Sequence, residues 1–115
     1  MNFWYPSCPP CRAEMPDLEA SYQRYRDRGV LFLGVTSLQL DTTEDAKEFI
    51  AEVGVSYPVG PDTDGTIMRA YGVNNFPSTV FVNAQQEIVR TWAGLLNEEK
   101  LGELIEEMLG ERGSG

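Results

Sequence analysis

The only two cysteines of this chain stand in Cys8-Pro9-Pro10-Cys11, directly after the apolar run Phe3-Trp4-Tyr5. Two thiols two residues apart close into a disulfide with little chain movement. Where such a pair opens a helix, the unpaired N–H groups and the macrodipole favour a thiolate at the first sulfur. The second waits behind it, one turn further in. The chemistry this permits is thiol–disulfide exchange: Cys8 attacks a substrate disulfide, a mixed disulfide forms, and Cys11 displaces the reduced product. Pro9 and Pro10 bring no N–H of their own, so donors to the Cys8 sulfur must come from Cys11 and beyond. A stapling disulfide and metal transport are the competing readings. The stabilisation a cross-link gives grows with the loop it closes, and this loop is very short.

The elements that must hold the pair can be read along the chain. Residues 2–5 read as a buried strand. From Pro9 to about Arg28, Cys11, Met15, Leu18, Tyr22 and Tyr25 recur at spacings of three and four, which predicts an amphipathic helix. Cys8 falls at its N-cap and Pro9 at its first position, where the missing N–H costs nothing. Pro16 is expected to kink it, and Gly29 to end it. Val30 to Val35 is a continuous apolar run, as in a central parallel strand.

A second helix is predicted over 42–53 and a Pro/Gly/Asp loop over 58–65, followed by a short helix over 66–71. Thr79–Val82 and Glu87–Trp92 form a hairpin. The last helix starts near Asn97, with Leu101, Leu104, Ile105, Met108 and Leu109 on one face. The domain is expected to span residues 1–110, with 111–115 a flexible tail. Pro77 precedes an apolar strand that would lie beside the first one. On its residues alone it is an ordinary turn or edge proline, since few X–Pro bonds are cis.

Composition narrows the function further. The chain has 115 residues, enough for one domain with a core, and a net charge of −9. That charge argues against nucleic acid or an anionic membrane surface as partner. There is no histidine, which removes His-based catalysis and leaves an uncommon ligand set for zinc. No run is apolar for the ~20 residues of a membrane span, and no targeting segment precedes the motif.

The segment Asn2-Phe3-Trp4 followed by Cys8-Pro9-Pro10-Cys11-Arg12-Ala13-Glu14-Met15-Pro16 resembles the active-site segment of TlpA/ResA/DsbE-like thiol–disulfide oxidoreductases of the thioredoxin superfamily. The resemblance continues through Phe32-Leu33-Gly34-Val35, Tyr57-Pro58-Val59, Asp62-Thr63-Asp64-Gly65, Ala70-Tyr71-Gly72-Val73 and Phe76-Pro77-Ser78-Thr79. It implies an α/β, thioredoxin-like fold: a central mixed sheet flanked by helices, truncated at its N-terminus relative to the family. It implies that Pro77 is a cis-proline facing the disulfide, and that Trp4, Pro9, Pro10, Phe76 and Pro77 bind substrate. No cofactor or metal is expected beyond the redox-active Cys8–Cys11 pair.

The implied activity is reduction of protein disulfides outside the cytoplasm, often in cytochrome c maturation. The implied partners are protein thiol or disulfide substrates and an upstream dithiol reductant. The chain is expected to act as a monomer that does not itself touch the membrane. A cytoplasmic thioredoxin-type reductant is the alternative. A copper chaperone on the same fold would need a histidine, and a peroxidase would need a different motif around its cysteine.

Two departures from the family pattern stand near the site. Ser7 occupies the position before the first cysteine, where the family usually has Trp. Gln39 occupies the position aligned with a proton-handling Glu, so that Asp41 or water would have to serve.

Overall fold

The computed structural model describes residues 1–113, with side chains described as far as residue 110. The chain forms β1 (Asn2–Trp4), α1 (Pro9–Tyr25), β2 (Gly34–Ser37), α2 (Thr43–Val53), β3 (Val59–Asp62), α3 (Thr66–Ala70), β4 (Ser78–Val82), β5 (Ile88–Ala93) and α4 (Glu98–Gly113). The five strands make one mixed sheet in the order β3-β2-β1-β4-β5. β1 runs parallel to β2 and β2 to β3, while β4 runs antiparallel to both β1 and β5. This is the α/β arrangement with a central mixed sheet that the resemblance implies.

Alternation along the strands divides the core in two. Trp4 and Phe81 point to one face, where they are buried with Met15, Leu18 and Tyr25 of α1, Ala46 and Phe49 of α2, and Leu101, Leu104 and Ile105 of α4. Phe3, Val35 and Val80 point to the other, covered by Val73 and by Met68 and Tyr71. Burying each large apolar side chain stabilises the fold by roughly 1.5–3 kcal/mol. The three-and-four spacing read from α1 is therefore the spacing of real core contacts.

Local chemistry sets the helix ends. Thr42 caps α2 with a reciprocal pair: its Oγ1 accepts from Asp45 N at 3.1 Å, and its own N–H donates to Asp45 Oδ2 at 2.9 Å. Asn97 Oδ1 accepts from Lys100 N at 2.8 Å at the start of α4. α1 runs unbroken through Pro16, tightens into a 3-10 turn over Arg26–Arg28, and stops at Gly29 with φ 78°.

Three expectations shift. The apolar run at 30–33 is not strand, because β1 begins opposite Gly34 and leaves residues 30–33 beyond the end of its ladder. Residues 59–62, expected as loop, form edge strand β3. Pro61 is tolerated there because an edge strand has a side that needs no donor. α4 reaches Gly113, three residues into the expected tail, and the rest of that tail lies outside the described residues.

Candidate active site

β1 runs through the centre of the sheet, and the loop after it delivers Cys8 to the start of α1. Cys8 is the N-cap in extended conformation, φ −83° and ψ 110°, and its Sγ accepts from Cys11 N at 3.3 Å. The first N–H beyond the two prolines thus points at the sulfur, as the sequence requires. Cys8 and Cys11 are joined as a disulfide, with Cα atoms 5.2 Å apart. Each is only 1% exposed. Lying one turn further in therefore does not bury Cys11 more deeply than Cys8 in the disulfide state. What distinguishes the two sulfurs is their place on the helix: Cys8 Sγ receives the N-terminal N–H and Cys11 does not.

The rim of the site comes from three loops. Pro9 and Pro10 are exposed at the first turn of α1. Phe76 and Tyr5 are half-buried and meet edge to face, with ring centroids 5.3 Å apart. The Phe76–Pro77 bond is cis. The β1–β4 register pairs Phe3 with Ser78, so the next step along both strands sets Pro77 beside Trp4, at the end of β1 that leads to Cys8. Pro77 is fully buried, and its carbonyl accepts from Gly94 N at 2.8 Å. That bond draws the β5–α4 loop to the same end of the sheet.

Trp4 does not join this rim. It is 0% exposed, with its ring against Phe49 at 5.8 Å. Its ring belongs to the same buried cluster as Cys8 and Cys11 and presents no surface to a docking chain in the disulfide state.

The residue that motif reading passed over is Glu14. It lies one turn beyond Cys11 on α1 and is 1% exposed. Its Oε1 accepts from Asn2 Nδ2 at 2.8 Å and its Oε2 from Leu96 N at 2.7 Å. Burial pushes its carboxyl up to about 7, against the pull of those two hydrogen bonds. Spacing could have found it, since Cys11, Glu14 and Leu18 stand three and four apart on the buried stripe. A carboxyl on that stripe needs a reason.

Gln39 is exposed on the β2–α2 loop. Asp41, also on that loop, holds Ser7: its Oδ2 accepts from Ser7 N at 3.1 Å and from Ser7 Oγ at 2.9 Å. The buried, near-neutral acid of this site is Glu14.

Comparison with known proteins agrees with this geometry. The AhpC/TSA family profile matches residues 1–91. The thiol-disulfide oxidoreductase ResA of Halalkalibacterium halodurans is 33% identical over 106 residues, which cover 92% of this chain and 59% of that protein. The chain thus spans about three fifths of that relative's length. The crystal structure of StoA from Bacillus subtilis superposes with TM-score 0.80 at 26% identity, over 90% of this chain and 78% of that one. The exposed lipoprotein thioredoxin Etrx1 of Streptococcus pneumoniae superposes with TM-score 0.77 at 25% identity, over 92% of this chain and 81% of that one.

Proposed function

We propose, since the chain belongs to the AhpC/TSA family and is a ResA/DsbE-like protein of the thioredoxin superfamily, that it is a thiol–disulfide oxidoreductase reducing protein disulfides. The observation that carries the reading is the Cys8–Cys11 disulfide with Cys11 N aimed at the Cys8 sulfur. That N–H stabilises a thiolate at Cys8 once the bond is open.

In the reduced protein the Cys8 thiolate attacks one sulfur of a substrate disulfide and releases the other as a thiolate. Cys11 then loses its proton and attacks Cys8, re-forming the Cys8–Cys11 bond and freeing the second substrate thiol. Two electrons pass from the chain to the substrate, and a dithiol reductant restores them. We assign the Cys11 proton to Glu14, which lies one turn further along the buried face of α1 and titrates near neutrality. Phe76, Pro9 and Pro10 form the surface on which the substrate chain lies, and the cis peptide bond before the buried Pro77 shapes its backbone edge. No further cofactor enters the reaction.

The site of action we propose is outside the cytoplasm, with apocytochrome c thiols among the substrates. Support comes from the likeness to ResA and to an exposed lipoprotein thioredoxin. Among the described residues no helix is long and apolar enough to cross a membrane. The chain is taken to work as a monomer.

The test is insulin reduction with dithiothreitol as electron source. Cys8→Ser is expected to abolish turnover, and Cys11→Ser to abolish turnover while accumulating mixed disulfides. Undiminished turnover by both variants would refute the assignment.

A further inference from the structure

The loop that delivers Cys8 is held from outside. Cys8 N donates to Tyr5 O at 3.1 Å, and Arg12 Nη1 donates to Pro6 O at 3.0 Å. Ser7, the residue next to the reactive sulfur, spends both its backbone N–H and its hydroxyl on one oxygen of Asp41, 34 residues away. Asp41 belongs to the β2–α2 loop and is anchored one residue before the capping box of α2. A carboxylate is thereby fixed one residue from Cys8.

We infer that Asp41 is a positioning residue of the exchange site: tethered to Ser7, it holds a negative charge beside Cys8 and opposes the thiolate that the helix start favours. The inference rests on the exchange activity proposed above and specifies what tunes it.

The surrounding charges do not cancel this one. Ser7 and Asp41 line a cleft of about 270 Å³ with Arg12, Asp45, Glu48 and Glu52. Among the described residues Arg12 is the single cation lining it. Its guanidinium lies 4.0 Å from the Phe49 ring centroid and 4.0 Å from Glu52, and donates to a backbone carbonyl rather than to Asp41. Beneath the pair, on the same helix, Glu14 adds a second carboxyl. The charge field at Cys8 is thus the α1 N-terminus and Arg12 against Asp41 and the other acidic groups. A thiolate made costlier raises the thiol pKa and favours the disulfide, which makes the dithiol a stronger reductant.

The consequence separates charge from shape. Asp41→Asn keeps an oxygen that accepts both Ser7 hydrogens and removes only the charge. Asp41→Ala removes both. The reduced proteins would be alkylated with iodoacetamide across pH to obtain the Cys8 acidity. They would also be equilibrated with glutathione, where the Cys8–Cys11 disulfide plus two glutathione thiols gives the dithiol plus glutathione disulfide.

Both substitutions should make Cys8 more acidic by roughly fivefold, the scale of one unit charge removed at a partly solvated site. Both should shift the glutathione equilibrium toward the dithiol. An acidity within twofold of wild type in Asp41→Asn overturns the inference, and so does a change seen only in Asp41→Ala. A wild-type protein that does not exchange with glutathione at all would instead overturn the proposed activity.

Discussion

Glu14 makes the sharpest quantitative prediction. In the unfolded chain its carboxyl titrates at about 4.5, and in the folded protein at about 7. Between those values the folded state holds a proton that the unfolded state has released. Stability from this group is therefore fully present below pH 4.5 and falls as pH rises to 7. A shift of about 2.5 units at 1.36 kcal/mol per unit corresponds to about 3 kcal/mol. Glu14→Gln removes the titration. The introduced amide can still accept from Leu96 N, and a turn of the Asn2 amide lets it donate to Asn2 Oδ1, an atom with no partner.

The assay is urea unfolding of the oxidised proteins between pH 4 and 8, read as wild type minus variant. Taking the difference matters because burial also pushes the Met1 amine down to about 6. That group gains stability as pH rises from 6 toward 8, opposing Glu14 in the raw curve. It is common to both proteins and cancels. The variant is expected to gain about 3 kcal/mol on wild type between the two ends of the range. A difference that stays constant within ~0.5 kcal/mol would refute the account of a buried, near-neutral carboxyl.

Two further outcomes test the scaffold. Thr42→Ala removes the side chain that accepts from Asp45 N and should cost about 1 kcal/mol by denaturant unfolding. Leu104→Ala empties a fully packed position between α4 and the sheet and should cost about 3 kcal/mol by the same measurement.

Where one element's own residues carry its signal, the sequence was enough to read it. The stripe from Cys11 to Tyr25, the helix over 42–53 and the hairpin around Asn83 are local patterns, and the structure follows them. β3 was hidden because Gly60-Pro61-Asp62 is loop chemistry by composition. Only its pairing with β2 at a sheet edge makes it a strand, and that pairing is a tertiary fact. The run at 30–33 erred the other way. It is apolar enough for a strand, but a ladder needs a partner alongside, and β1 starts too late to supply one.

The site divides along the same line. Cys8 and Cys11 announce themselves through spacing, whereas Pro77 reads as an ordinary turn proline until the family resemblance marks it as cis, which it is. Trp4, a substrate-binding residue by resemblance, is buried in the core, because aromatic residues beside a motif read alike whether they face substrate or core. Glu14 and Asp41 were harder, since a carboxyl is the commonest surface group and only burial or a distant partner gives it meaning. Each is defined by contacts across 12 to 82 residues of sequence.

If the two carboxyls tune the sulfurs as proposed, their difference in environment gives them different signatures. Asp41 lies at the mouth of the site, hydrogen-bonded to the residue beside Cys8. Removing its charge should move the Cys8 acidity by a similar factor throughout neutral pH. Glu14 is sealed in the core, and it gains or loses its proton near pH 7, within the range over which the alkylation is read. Groups that titrate together and repel one another share macroscopic pKa values. Replacing Glu14 should therefore change the shape of the alkylation profile, collapsing a broad transition toward a single one, whereas replacing Asp41 should only displace it. The motif makes exchange possible, and the two alkylation profiles test whether these two acids set how readily each sulfur gives up its proton.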